Sequence, residues 1–101
     1  MTKADLVAVV ADAIGPGITK KDCSLVVDGF LNAVKRALAN GEHIEIRGFG
    51  TFKVRERKTR TARNPRTGES VEVPSRAVPI FKPSKHLRSR VARMHEEREG
   101  A

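Results

Sequence analysis

Tryptophan and tyrosine are absent from this sequence of 101 residues, and phenylalanine occurs only four times. Large aromatic side chains supply much of the burial in a small core, so a second chain is expected to complete this one. A single cysteine, Cys23, excludes a disulfide framework within the chain and fits a reducing compartment. No apolar run approaches the roughly 18 residues that a membrane span requires. The opening Met1–Asp5 also lacks the apolar core of a signal peptide. A soluble, cytoplasmic protein with no membrane partner is therefore expected. Carboxylates are scarce as well: 12 Asp and Glu stand against 20 Lys and Arg, for a net charge of +8 and a pI near 10.4. A surface this basic points to a polyanion, either nucleic acid or an acidic membrane face.

The excess charge is local. Residues 1–52 are neutral, with six bases and six acids, whereas residues 53–93 hold 13 bases against Glu56, Glu69 and Glu72. The last eight residues turn acidic through Glu96, Glu97 and Glu99. A neutral front half and a basic back half suggest a scaffold that carries a polyanion-binding element.

The front half reads as two amphipathic helices, about 3–14 and 19–39. Thr2 and Asp5 have the spacing of a capping box, and Leu6, Val9, Val10 and Ala13 recur at helical intervals until Gly15-Pro16-Gly17 ends the run. Thr19 and Asp22 repeat the cap. Cys23, Val26, Val27, Phe30, Ala33, Val34, Ala37 and Leu38 then mark one face of the second helix, which Asn40-Gly41 stops.

Beyond residue 41 the period falls to two. Ile44 and Ile46 alternate with His43, Glu45 and Arg47. Gly48-Phe49-Gly50 makes a tight turn, and Phe52 and Val54 mark a second strand, so a hairpin is expected. Val78, Ile80 and Phe81 offer a third strand. Between these lies an arm, about 55–74. Arg55, Arg57, Thr59, Thr61 and Arg63 line one face of its first half and Glu56, Lys58, Arg60 and Ala62 the other. Neither face is apolar, so the segment is either disordered or a ribbon standing in solvent. Asn64-Pro65-Arg66-Thr67-Gly68 has turn chemistry, and Pro74 and Pro79 suit edge strands. Nine residues of extended chain would reach on the order of 30 Å. A last short helix, about 84–94, follows Pro83-Ser84 with Leu87, Val91 and Met94 on one face, and within the short acidic tail, 94–101, the stretch from Glu96 to Ala101 has no periodicity and is expected to fray.

Three motifs in this order, Gly48-Phe49-Gly50-Thr51-Phe52, Arg63-Asn64-Pro65-Arg66-Thr67-Gly68, and Val78-Pro79 with Phe81-Lys82, resemble the bacterial histone-like HU and integration host factor proteins. The resemblance spans residues 1–93 as one DNA-binding domain. It implies an α+β fold: an intertwined dimer with a helical base, a three-stranded β saddle and a protruding β-ribbon arm per subunit. It also implies minor-groove binding in which an apolar wedge at the arm tip unstacks a base step and kinks the duplex. Ala62 departs from the glycine common in the family before Arg-Asn-Pro, and the acidic tail is an extension.

The basic residues of the arm and its base, Lys53, Arg55, Arg57, Lys58, Arg60, Arg63 and Arg66, are the candidates for phosphate and minor-groove contacts; a charge run can also be a mere solvated face. Pro65 alone reads as a turn residue, and the resemblance makes it the intercalating wedge, with Asn64 beside it. The resemblance further places Lys3, Lys82, Lys85 and Arg88 along the path of bent DNA. Lys3 has a second option in an ion pair with Asp28. Phe49, Phe52 and Phe81 are core residues on any reading and, by resemblance, the core of the dimer.

No catalytic constellation is present. His43, His86 and His95 lack ligand spacing, Cys23 lies on an apolar helical face, and Gly48-x-Gly50 has no third glycine or following helix, so no metal, cofactor or small-molecule substrate is expected. The first expectation is a homodimeric, nucleoid-associated protein that bends and compacts double-stranded DNA with low sequence preference, favouring bent, nicked or gapped duplexes. An alternative is an integration host factor subunit, which pairs with a different chain and prefers particular sites; residues 41–47 and 81–83 resemble that branch. A basic structural RNA-binding protein is the third reading, although A-form grooves fit a ribbon wedge poorly.

Overall fold

Helix α1 spans Lys3–Ile14 and begins with a closed capping box. The Asp5 N–H donates to Thr2 Oγ1 at 3.4 Å, and the Thr2 N–H donates to Asp5 Oδ2 at 2.8 Å. Gly15 ends it at φ +83 with its N–H on the Ala11 carbonyl. Helix α2, Lys20–Ala39, is capped by the Thr19 hydroxyl, which accepts from the Asp22 N–H at 3.0 Å. The computed structural model describes residues 1–100, and it falls into two units, Met1–Ala37 and a second beginning at Leu38.

The first unit holds a core of three buried side chains, Val7, Ala11 and Cys23, with Ile18 and Val27 packed against it. This corrects the expected α1 stripe. Leu6, Val9 and Val10 remain 51%, 54% and 39% exposed, while the neighbouring stripe faces α2. Helix α1 is apolar on nearly every side, so its periodicity cannot choose a face; the small Ala11 and Cys23 allow the closest approach. A helix apolar all round needs covering on all sides. On α2 the same shortfall leaves Val26 66% and Phe30 54% exposed.

In the second unit, strands β1 (Ile44–Ile46), β2 (Gly50–Arg57) and β5 (Arg76–Pro83) form an antiparallel sheet in the order β1-β2-β5. The β1–β2 turn is centred one residue earlier than expected. The Phe49 N–H donates to the Ile46 carbonyl and Gly48 takes φ +81, as a type II turn requires at its third position, and Gly50 already belongs to β2. Paired residues share a face. Ile44, Phe52 and Phe81 stand in one cross-strand row and Val54 and Pro79 in another, so this face is apolar.

Strands β3 (Arg60–Arg63) and β4 (Ser70–Val73) form a separate two-stranded sheet. The arm is thus no uninterrupted ribbon from residue 55. Arg57 still pairs with Arg76 in the first sheet, and pairing resumes only at Arg60 and Val73. Pro74, which has no N–H to give, sits in the gap opposite Lys58 and Thr59, and the ladder breaks there.

Helix α3, Lys85–Gly100, starts at Ser84, whose Oγ accepts from the Leu87 N–H at 3.1 Å. The Ser84 N–H donates to the Phe49 carbonyl, tying the helix start to the β1–β2 turn. The helix continues through the segment expected to fray. Met94, Glu96, Glu97 and Arg98 are good helix formers and no proline interrupts them, so loss of the apolar period does not end it. Ala101, the end of that tail, lies outside the described residues.

Candidate nucleic-acid interface

Strand parity sorts the basic residues before any side chain is considered. On β2 the odd positions Lys53, Arg55 and Arg57 oppose Ile80, Val78 and Arg76 on β5, and Thr51 opposes Lys82. Five cations therefore share the sheet face opposite Phe52 and Phe81. Lys53 is half-buried and the other four are exposed. The carboxylate nearest this row in the pairing is Glu45, opposite Thr51, and the only ion pair among the described residues is elsewhere. With Glu45 at one end of the face and no ion pair formed there among the described residues, the cations predominate and the face is suited to an external polyanion.

A groove beside the β1–β2 turn brings Lys82, Lys85 and Arg88 together with Arg47, Glu45 and Thr51. Two of the cations it holds lie in the first turns of α3, where free N–H groups already favour an anion. Arg47 in this groove and Arg76 on β5 were missed in the sequence. Both had a signal: Arg47 continues the polar parity of Glu45, and Arg76 shares the parity of Lys82.

Along the arm the candidates divide. Arg60 and Ala62 oppose Val73 and Val71 on one face, whereas Thr61 and Arg63 oppose Glu72 and Ser70 on the other. Arg60 and Arg63 are therefore not brought onto one surface, and Lys58 lies in the break between the sheets.

The tip is closed by its own residues. Asn64 Oδ1 accepts from the Arg66 N–H at 2.9 Å, the Asn64 carbonyl accepts from the Gly68 N–H at 2.7 Å, and Gly68 takes φ +76. Asn64 thus builds an Asx turn with its oxygen. Pro65 projects from it exposed, while Asn64 is half-buried.

Lys3 takes the second of its two options. Its Nζ lies 2.7 Å from Asp28 Oδ1, with side chains 55% and 42% exposed. An ion pair this open is worth about 0–1 kcal/mol.

Phe49, Phe52 and Phe81 cluster with ring centroids 4.8–6.3 Å apart, yet Phe49 and Phe81 stay 44% and 40% exposed.

Compared with known proteins, the chain matches the family described as bacterial DNA-binding protein over residues 1–92. Integration host factor subunit beta of Paraburkholderia phytofirmans is 52% identical over 93 residues, covering 92% of this chain and 86% of that protein. Its counterpart from Paraburkholderia xenovorans is 50% identical with the same coverage. Among solved structures, an HU–DNA cocrystal from Anabaena gives a TM-score of 0.81 at 39% identity, covering 91% of this chain and 98% of that one. HU from Thermotoga maritima gives 0.63 at 34% identity, over 90% of this chain and 98% of that one.

Proposed function

The chain belongs to the bacterial DNA-binding protein family of HU and integration host factor proteins, and from that membership we propose that it is one subunit of an integration-host-factor-type dimer that bends duplex DNA at preferred sites. The first expectation, a low-specificity HU-type homodimer, is the less well supported of the two. The relatives at 50–52% identity are named integration host factor subunit beta, whereas the HU structures stand at 34–39%. The observation that carries DNA binding is the row of Lys53, Arg55, Arg57, Arg76 and Lys82 on one sheet face.

In this reading the phosphates of bent DNA lie across that face and the Arg47–Lys85–Arg88 groove, and the arm follows the minor groove with Pro65 as its wedge. Phosphate contacts fix position and carry little sequence information. Site preference then comes from the cost of deforming particular base steps and from groove contacts. The exposed apolar faces of α1 and α2 and the phenylalanine cluster are where a second subunit docks. The protein acts on the nucleoid and has no catalytic part.

Selection from random duplexes tests this, with the chain alone and with a co-expressed alpha-type subunit of the same organism. The expected result is enrichment of a defined site by the pair, bound at least tenfold more tightly than random duplex. Equal affinity for all duplexes, alone or paired, returns the protein to the HU type, and stronger binding to duplex RNA than to duplex DNA supports the RNA reading instead.

A further inference from the structure

Helix α3 runs on for about two turns past residue 92, where the family match ends. Its charge is ordered against its own dipole. Residues 85–93 hold Lys85, Arg88, Arg90 and Arg93 with no acid, and residues 94–100 hold Glu96, Glu97 and Glu99 with one base, Arg98. A solitary helix favours acids at its start and bases at its end, so this order costs stability unless a partner of opposite order lies alongside. Leu87, Val91, Met94 and Arg98 recur at steps of four, three and four, the spacing of a helix–helix seam. Leu87 is half-buried, but Val91 and Met94 are 58% and 45% exposed. Among the described residues, the groove beside Val91 is lined by α3 itself and by Pro83 alone from the sheet.

We propose that α3 pairs antiparallel with α3 of a second copy and so couples two dimers. About a twofold axis, Val91 meets Met94 of the second copy, Leu87 lies under the aliphatic stem of its Arg98, and Arg90 reaches its Glu97. The same contacts recur with the copies exchanged, as an isologous interface requires. Arg90 and Glu97 are exposed, and neither belongs to the one ion pair among the described residues. DNA is the poorer occupant, because the three carboxylates of this segment repel phosphate. At 16 residues and about 24 Å the helix buries less than the roughly 800 Å² per partner of a stable interface, so the pairing is weak and transient. DNA that holds dimers close together raises their effective concentration and makes the contact count. In an integration-host-factor-type dimer this chain supplies one such helix, so pairing closes at two dimers and bridges two duplexes. The helix contact stands apart from the DNA-binding reading; the bridging rests on it.

The test compares dimers carrying wild-type, Arg90→Glu, Glu97→Arg or Arg90→Glu/Glu97→Arg chains. Sedimentation at about 0.1 mM without DNA is expected to show a four-chain species for the wild type and for the double variant, whose reversed pair restores attraction. Each single variant is expected to lose most of that species. The melting temperature at equal concentration is expected to be the same in all four, since both residues are exposed. Retention of a free duplex by bead-bound duplex, both saturated with dimer, is expected to follow the sedimentation result. The single variants change charge in opposite directions, so a tail that touches DNA instead makes Glu97→Arg bridge better than the wild type and Arg90→Glu worse. That result overturns the proposal. So does a double variant that fails to recover, a fall in melting temperature showing that α3 packs within its own dimer, or a wild type that stays a dimer at about 0.1 mM. A wild type that forms the four-chain species but binds no duplex upholds the pairing and overturns the DNA-binding reading, so the two failures are distinguishable.

Discussion

Phe52 and Phe81 stand directly opposite each other on β2 and β5, with ring centroids 4.8 Å apart, and the Phe81 ring lies over Gly50. A Cβ built on Gly50 falls 2.6 Å from the Lys82 carbonyl oxygen and 2.6 Å from the Phe81 ring. Backbone on one side and an aromatic ring on the other leave no room to shift cheaply. Gly50→Ala is therefore expected to cost about 1–3 kcal/mol through overpacking. Thermal melting checks this; a variant as stable as the wild type would mean that Phe81 is free to move away, against its place between Gly50 and Phe52.

Dimerisation follows from the exposed apolar side chains. The core of the first unit has three buried residues, while Leu6, Val9, Val26 and Phe30 are each at least half exposed. Sedimentation at micromolar concentration is expected to give about twice the chain mass, and the melting temperature to rise with concentration. Phe30→Ala is expected to weaken the assembly by about 3–5 kcal/mol if the ring is buried by the second subunit. A monomer that unfolds cooperatively at a concentration-independent temperature would refute the dimer.

Much of this architecture was legible in the sequence because local rules and tertiary structure agree. Thr2, Thr19 and Ser84 cap helices as their spacing suggests, and the alternation at Ile44 and Ile46 marks a strand. Where the rules were ambiguous, tertiary contacts decided. An all-round apolar α1 gave no clue that Val7 and Ala11, rather than Leu6 and Val9, face α2. The cations of the arm were visible as a run, but which of them share a surface depends on strand register. Arg76 gained its significance only once it was found opposite Arg57, 19 positions earlier in the chain.

Salt dependence tests the cationic sheet face. Each phosphate neutralised contributes about 0.9 to the slope of log K against log salt. Arg55→Ala, which removes a charge opposite Val78, is expected to reduce that slope by about one and to weaken preferred and random duplexes alike. An affinity independent of salt would remove phosphate contact as the source of binding.

The arm tip separates a wedge from a turn. Asn64 closes the tip through its Oδ1 contact with the Arg66 N–H, and Gly68 completes it. These bonds do not involve the Pro65 side chain, so Pro65→Ala keeps the turn's hydrogen bonds while removing the exposed ring. If Pro65 only shapes the turn, bending and affinity fall slightly and together. If it is the wedge, the two separate. Phosphate contacts by Arg55, Arg57 and Arg60 lie along the sheet and arm and persist, so affinity for intact duplex drops little. Unstacking a base step costs a few kcal/mol, and without the ring nothing offsets that cost, so the bend shrinks far more than the affinity. A nicked duplex, in which unstacking is already cheap, is then the substrate least affected. Asn64→Ala is the complementary variant: it opens the tip, leaves Pro65 in place but unpositioned, and is expected to reduce bending in the same sense. Energy-transfer measurement of the bend angle on intact and nicked duplexes compares the three proteins, and an unchanged angle in Pro65→Ala would leave the cationic surfaces as the only source of DNA deformation.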